Sequence, residues 1–154
     1  MAPGGWVELQ DWDVKSVSDD GTLTPEHDYY KWNRLFLESM ETINRTVRPG
    51  PMLRSYVEAA GFVNIREEKF KVPLGPWPKD PELKNLGMMN LVQALEGLEA
   101  FSLKTLETMG WSRIEIEVFL ASVQRELKGS KFHTYAPLYV PPLSPFIALT
   151  NVFL

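Results

Sequence analysis

The sequence predicts an α/β domain in which helices separate three β-strands. Three segments alternate in hydrophobicity or are rich in β-branched and aromatic residues, at 6–10, 62–72 and 131–140. Between them, apolar residues recur at helical spacing, at 25–47, 52–60 and 80–128. Proline, glycine and helix-capping residues mark most of the boundaries. The predicted order is therefore strand, two helices, strand, helical insertion, strand.

The first strand is expected at Trp6–Gln10, directly after the turn at Pro3–Gly5. A polar loop follows, and then Thr24 and Pro25 have the residue types of an N-cap and a first helical position. The helix is expected to run for roughly five turns and to end at 48–51. Its apolar stripe consists of Trp32, Leu35, Phe36, Met40, Ile43 and Val47.

A shorter helix is predicted over 52–60, with Gly61 in the left-handed conformation that often follows a helix. The second strand is predicted over 62–72. Its alternation changes phase near Glu67, which indicates a bulge or bend there. Pro73–Pro78 contains three prolines and Trp77, and we expect a rigid loop because proline is excluded from helix interiors and central strands.

Asp80 has the features of an N-cap for a helix with a broad apolar arc, and Ser102 is a candidate cap for a short helix ending near Gly110. Ser112 and Glu115 form a capping-box pattern, which predicts a further helix that ends at 129. The last strand is predicted over 131–140. The tail 141–154 differs in composition, with three prolines followed by an uncharged apolar run.

Composition excludes several classes of protein. A net charge of −4 and a pI near 5.2 argue against an electrostatic nucleic-acid binder. The absence of cysteine excludes disulfides and thiolate chemistry. The N-terminus lacks the pattern of a signal peptide, and no apolar run reaches the roughly 18 residues of a membrane span. We therefore expect a cytoplasmic or nuclear protein that binds neither nucleic acid nor membrane.

Five short motifs carry a family resemblance: PGGWVELQD, SDDGTL, EAAGF, VPLGPWP and LEGLE, in this order along the chain. As a set they resemble class I S-adenosylmethionine-dependent methyltransferases of the type associated with fungal secondary metabolism. The resemblance extends from about residue 3 to residue 140. Pro-Gly-Gly before a strand is a weak signal alone, and the specificity comes from the ordered set.

The resemblance implies a topology and a site. The three strands would be the fifth, sixth and seventh of a seven-stranded Rossmann-like sheet, which is mixed because the last strand is antiparallel between the other two. The helices of about 80–128 would be a cap on the substrate side. Ligands of open α/β sheets lie beyond the carboxyl ends of parallel strands, so Gln10, Asp11 and Trp12 are candidate substrate-lining residues. Trp77 is a fourth, with pinning of its loop against the core as an equal alternative.

S-adenosylmethionine is the cofactor of the intact family, but we expect no cofactor-binding residue in this chain. The family site is a glycine-rich turn after the first strand and an acidic residue that ends the second strand. None of the ten glycines are spaced as G-x-G, and a fifth strand at residue 6 leaves no room for the earlier strands. The expected domain organisation is a partial methyltransferase domain over 1–140 and a divergent tail over 141–154.

Other residues have competing interpretations. His133 in the last strand and His27 in a helix first turn are candidate general bases, but a lone histidine is more often a hydrogen-bonded or surface residue. The carboxylates that flank Trp12 fit ordinary loop chemistry, and Glu96 and Glu99 fit a solvated helix face. Trp6 and Trp32 are expected in the core, and Met88–Met89 is expected to fill a core gap. No catalytic residue and no metal site is assigned.

Three hypotheses remain from the sequence. The first is a truncated methyltransferase that is inactive alone and acts on a small-molecule or protein acceptor when complete. The second is a non-catalytic interaction module, or pseudoenzyme, that pairs with a full-length relative or with itself through an exposed sheet edge. The third is a fragment of a gene model without a function of its own.

Overall fold

A computed structural model of the chain describes residues 7–140, so Trp6 and the tail 141–154 lie outside the described residues. The elements follow the predicted order, with a short 3-10 helix at Gly50–Met52 between the first two helices. They are β1 (Asp11–Trp12), α1 (Asp28–Thr42), α2 (Leu53–Ala59), β2 (Glu68–Leu74), α3 (Pro81–Thr108), α4 (Arg113–Gly129) and β3 (Thr134–Val140). The fold is therefore α/β, with a three-stranded sheet and four α-helices.

The last strand lies in the middle of the sheet, as predicted. The strand order is β1-β3-β2, and β3 is antiparallel to both neighbours. The sheet within residues 7–140 is thus antiparallel, and the prediction of a mixed sheet is not confirmed there. Because β1 and β2 are both antiparallel to β3, they run in the same direction and end at the same edge of the sheet.

The first strand lies later than predicted, and it is shorter. Residues 7–10 are not in a strand, and β1 pairs only Asp11 with Tyr139 and Trp12 with Leu138. Pro137 lies opposite Asp13 and interrupts the ladder after Trp12, before an isolated bridge between Val17 and Tyr135. The Asp13 N–H donates to the Pro137 carbonyl at 2.8 Å, but proline has no N–H to return the second hydrogen bond.

The second strand is also displaced, and it extends through Pro73 to Leu74. Proline is tolerated there because β2 has β3 as its one partner and is an edge strand within the described residues. The strand begins at Glu68, so the predicted bulge near Glu67 is wrong, and the alternative of a bend there stays a prediction. Gly61 has a φ of +87°, which confirms the predicted left-handed position.

The first helix begins three residues after Pro25. Thr24 and His27 form a turn in which the His27 N–H donates to the Thr24 carbonyl at 3.1 Å, and His27 takes the N-cap position. The helix ends at Thr42, before Asn44, which has a φ of +54°. It is therefore about four turns long rather than five.

The long helix α3 corrects the prediction of two shorter helices. It continues without a break through Ser102, whose hydroxyl donates to the Leu98 carbonyl one turn earlier and accepts the Trp32 indole N–H at 2.7 Å. A serine bonded within its own helix need not begin a new one. The expectation for the methionine pair is wrong, because Met88 is 45% exposed and Met89 is 73% exposed.

The core lies between α1, α3, α4 and one face of the sheet. Its buried residues include Tyr29, Leu74, Leu91, Leu98, Leu106, Ile116, Leu120, Val123, Leu127 and Phe132. The predicted inward face of α4 is confirmed by Ile116, Leu120, Val123 and Leu127. The predicted N-caps Asp80 and Ser112 are confirmed as well.

Replacing Ser112 with alanine should lower the free energy of unfolding by about 1 kcal/mol. The Ser112 side chain accepts the Glu115 N–H, and the Glu115 carboxylate accepts the Ser112 N–H at 2.8 Å, so the substitution removes one half of a reciprocal cap. Urea denaturation measures the change. Ser55→Ala, an exposed position inside α2, is the control and should be neutral or slightly stabilising because alanine favours helix. Equal losses in both variants would contradict the capping role.

Candidate functional site

A cavity of about 750 Å³ lies between α1, α3 and the sheet face that carries Trp12 and Ala136. Trp12 is the last residue of β1 and Leu74 is the last residue of β2, so the cavity opens at the edge where both strands end. The lining residues are Trp12, Val14, Ser16, Tyr29, Trp32, Asn33, Phe36, Val47, Leu74, Asn90, Gln93, Ala94, Glu96, Gly97, Leu98, Phe101, Leu127 and Ala136.

One wall of the cavity is a row of aromatic rings on α1. Tyr29, Trp32 and Phe36 are spaced i, i+3, i+7 and therefore share a helix face. Their rings stack with centroid separations of 5.8 Å and 5.7 Å. Phe101 of α3 meets Phe36 edge-on at 6.1 Å, and Phe132 stacks on Tyr29 at 5.5 Å. The wall is rigid and apolar because each ring is held by its neighbours.

The polar atoms beside this wall bond to one another. The Asn33 side chain accepts the Ser16 N–H and donates to the Val14 carbonyl, both at 3.0 Å, and so holds the loop that leaves β1. The Tyr29 and Ser16 hydroxyls are 2.6 Å apart. Burial raises the pKa of Tyr29 to about 12, so its phenol is neutral at physiological pH. This wall contributes shape rather than charge.

The opposite wall is the face of α3 that carries Asn90, Gln93 and Gly97. Asn90 donates its side-chain N–H to the Pro73 carbonyl at 2.9 Å, which orients the amide. Glu96 is the one charged residue among the lining residues, and it is exposed at the rim. The described lining thus combines aromatic and aliphatic surface with a few polar groups on α3.

Trp12 is the one member of the sequence-predicted set that lines this cavity. Adjacent strand residues point to opposite faces, so Asp11 pairs with Tyr139 on the far face, and its carboxylate accepts the Trp12 N–H at 2.8 Å. Gln10 donates to Glu8 at 2.5 Å on the surface. Trp77 donates its indole N–H to the Thr134 carbonyl at 3.0 Å, so the structure places its ring against the start of β3, away from the cavity.

Sequence reasoning missed an Asp20–His133 pair near the ring of Trp77. The His133 imidazole Nδ1 lies 2.6 Å from the Asp20 carboxylate and stacks on Trp77 at 5.2 Å. Hydrogen bonds, first from Thr22 and then from His133, hold the pKa of Asp20 well below its usual range. The Thr22 hydroxyl also accepts the His133 N–H at 2.7 Å. The pair is exposed, is not among the cavity-lining residues, and fastens the 18–22 loop to the start of β3.

An ion pair between buried Asp13 and partly exposed Arg48 holds the segment that follows β1. Arg48 donates to both Asp13 carboxylate oxygens, at 2.7 Å and 3.0 Å, and the Lys15 N–H donates at 3.1 Å. Burial by itself would raise the pKa of Asp13, but the Arg48 and Lys15 hydrogen bonds outweigh it and lower the pKa. The carboxylate that sequence reasoning assigned to ordinary loop chemistry therefore anchors the segment around Arg48 to β1.

The lining of this cavity, as described within residues 7–140, does not fit S-adenosylmethionine. That molecule needs an acceptor for its ribose hydroxyls and backbone N–H groups for its charged end. The one carboxylate of the described lining is the exposed Glu96, and the Asn33 amide is bonded within the wall to the Ser16 N–H and the Val14 carbonyl. Among residues 7–140 there is also no group of three or more His, Cys, Asp or Glu side chains that could hold a metal ion. None of the described helices has the length and apolar character to cross a membrane.

Comparisons with known proteins point to one family. The chain is 36% identical over 141 residues to "Probable methyltransferase tdiE" of Emericella nidulans, covering 91% of this chain and 44% of that protein. It is 37% identical over 134 residues to methyltransferase pytC of Aspergillus terreus, covering 86% of this chain and 41% of that protein. It is 30% identical over 143 residues to secondary metabolism regulator LAE1 of Cochliobolus heterostrophus, covering 91% of this chain and 47% of that protein.

No family model matches the chain. The identities nevertheless extend over about nine tenths of its length and involve several fungal proteins. The chain spans less than half the length of these curated relatives. Over about nine tenths of its length the chain is therefore homologous to a group of fungal proteins that includes methyltransferases and regulators of secondary metabolism.

Proposed function

We propose that residues 7–140 form the acceptor-binding part of an S-adenosylmethionine-dependent methyltransferase. The observation that carries the proposal is the cavity at the common edge of β1 and β2, with Trp12 and Leu74, the last residues of these strands, in its lining. Crevices beyond the carboxyl ends of parallel strands are where open α/β sheets bind ligands. The cavity volume of about 750 Å³ suits a small-molecule acceptor.

In this proposal β1, β2 and β3 are the fifth, sixth and seventh strands of a larger sheet, and α3 and α4 are the cap. The strand order β1-β3-β2 supports this assignment. The methyl donor is assigned to the half of the family fold that residues 7–140 do not supply, because these residues do not fit it. The part described here binds the acceptor, excludes water with its aromatic wall and holds the acceptor in one orientation, which is most of what methyl transfer requires of a protein.

Isothermal titration calorimetry of the 154-residue chain with S-adenosylmethionine tests whether the methyl donor binds outside the part described here. We expect no binding at millimolar cofactor. A chimera in which residues 7–140 replace the matching segment of pytC, to which this chain is 37% identical, should bind the cofactor. It should also transfer a radiolabelled methyl group into a fungal small-molecule extract.

The cavity itself is tested by Ala94→Phe in the same chimera. Ala94 lines the cavity, so the larger side chain should reduce methyl transfer at least tenfold and leave cofactor binding within twofold. Ala121→Phe, at an exposed position of α4, is the matched control and should leave both unchanged. Cofactor binding by the isolated chain, or undiminished transfer by the Ala94→Phe chimera, would overturn the proposal.

A further inference from the structure

The polar groups of the cavity are distributed unevenly, and their chemistry restricts the ligand. The α1 wall offers a row of stacked rings whose neighbouring polar atoms are bonded to one another. The α3 wall offers Asn90, oriented by its bond to the Pro73 carbonyl. One N–H of the amide is used in that bond, and the side-chain oxygen of Asn90 is an acceptor for which residues 7–140 supply no donor.

The charged residues of the lining restrict the charge that a ligand can carry. Neither Lys nor Arg nor His is among the described lining residues, and the one charged group is the Glu96 carboxylate at the rim. An anionic ligand would lose its hydration without gaining a cation, and it would also face a like charge. A ligand with an O–H or N–H group could donate to Asn90, and its flat apolar part could lie along the rings of Trp32 and Phe36.

We propose that the cavity binds an uncharged, planar aromatic compound that donates a hydrogen bond from an O–H or N–H group to Asn90. The inference rests on the proposed function, in which this group is the methyl acceptor. It explains how the part described here distinguishes substrate from product. If this group is a hydroxyl, transfer of the methyl group from the sulfonium sulfur of the donor to the oxygen would break the sulfur–methyl bond, leave a neutral thioether and release the hydroxyl proton to water, so the methyl ether would have no hydrogen to donate to Asn90.

Three naphthalene probes test the proposal on the full 154-residue chain by calorimetry at neutral pH. The probes are 2-naphthol, which is neutral and has a donor; 2-methoxynaphthalene, its methylated counterpart; and 2-naphthoate, an anion. We expect 2-naphthol to bind about three- to tenfold more tightly than 2-methoxynaphthalene, the range expected for one hydrogen bond. We expect 2-naphthoate to bind at least about tenfold more weakly than 2-naphthol.

Substitution of Asn90 tests whether the hydrogen bond from 2-naphthol is made to this side chain. Asn90→Ala should bring 2-naphthol and 2-methoxynaphthalene to equal affinity while the affinity for 2-methoxynaphthalene stays within twofold, which would show that the cavity is intact. Asn85→Ala, an exposed asparagine of the same helix, should leave the wild-type ratio unchanged. The comparison of the three probes on the wild-type chain needs no variant, so it stands even where Asn90→Ala impairs folding.

The proposal is overturned if the wild-type chain binds 2-naphthoate as tightly as 2-naphthol, or if 2-naphthol has no advantage over its methyl ether. It is also overturned if the advantage persists in Asn90→Ala. Its failure is distinguishable from that of the proposed function. Methyl transfer by the pytC chimera without probe selectivity would reject the ligand class alone, and probe selectivity without methyl transfer would reject the methyltransferase role alone.

Discussion

Replacing Gly87 with alanine should lower the free energy of unfolding by about 1–3 kcal/mol or more, because the new methyl group has no room. A Cβ at this position would lie 2.2 Å from the Gly75 carbonyl oxygen and 3.3 Å from the Pro73 Cβ. The obstacle is backbone, which cannot rotate away, and it is fixed by the hydrogen bond from the Gly75 N–H to the Gly87 carbonyl at 2.9 Å. Urea denaturation followed by circular dichroism measures the loss.

The same substitution at Gly129 is the control, and it should raise the free energy of unfolding instead of lowering it. Gly129 ends α4, and its nearest atom to a new Cβ is the Lys131 Cγ at 3.9 Å, an ordinary van der Waals distance. Alanine there should stabilise the protein by about 0.5–1 kcal/mol through the lower backbone entropy of its unfolded chain. A stabilising Gly87→Ala would show that α3 does not touch the loop after β2.

Replacing Asp13 with alanine should cost about 2–4 kcal/mol, because it removes a buried carboxylate that accepts three hydrogen bonds. Arg48 is 41% exposed and can turn to water, which keeps the loss below that of a fully buried pair. Glu58→Ala breaks the Arg54–Glu58 pair, whose partners are 50% and 51% exposed, and should cost less than about 1 kcal/mol. Equal losses in the two variants would contradict the anchoring role of Asp13.

The contribution of Asp13 to the free energy of unfolding should decrease as the pH falls. Its pKa is lowered in the folded state, so the folded protein keeps the carboxylate ionised at pH values where the unfolded chain binds a proton. The stabilisation is therefore complete above the unfolded pKa of about 3.9 and is lost as the pH falls through the folded pKa. The difference in unfolding free energy between wild type and Asp13→Asn should be larger at pH 7 than at pH 3. A constant difference would contradict the ionised pair.

Features that depend on neighbouring residues could be predicted from the sequence. The caps at Asp80 and Ser112, the left-handed Gly61 and the order of strands and helices all follow from local chemistry. The resemblance supplied the central position of the last strand, which periodicity alone could not have given. The predicted position of β1 was wrong because the residues that pair are decided by the register with β3, more than 120 residues later in the chain.

The cavity could be predicted only in part for the same reason. Trp12 was found because strand exits are common ligand sites, but the alternation that selects Trp12 over Asp11 depends on the register with β3. The stripe of Trp32 and Phe36 looked like core, and its second role as a cavity wall depends on the distance between α1 and α3. Asp20 and His133 are 113 residues apart, and no local spacing indicates their contact.

The aromatic wall also has a spectroscopic consequence. Trp12 and Trp32 line the cavity, and the Trp32 indole donates to Ser102 inside the protein. Of the four tryptophans within residues 7–140, Trp12 and Trp32 are therefore in positions where a bound ligand would change their surroundings, while Trp77 is held against β3. Ligand entry should change the intrinsic emission of this chain without any attached dye, and the Trp12→Phe and Trp32→Phe variants would separate a signal at the rim from one at the inner wall.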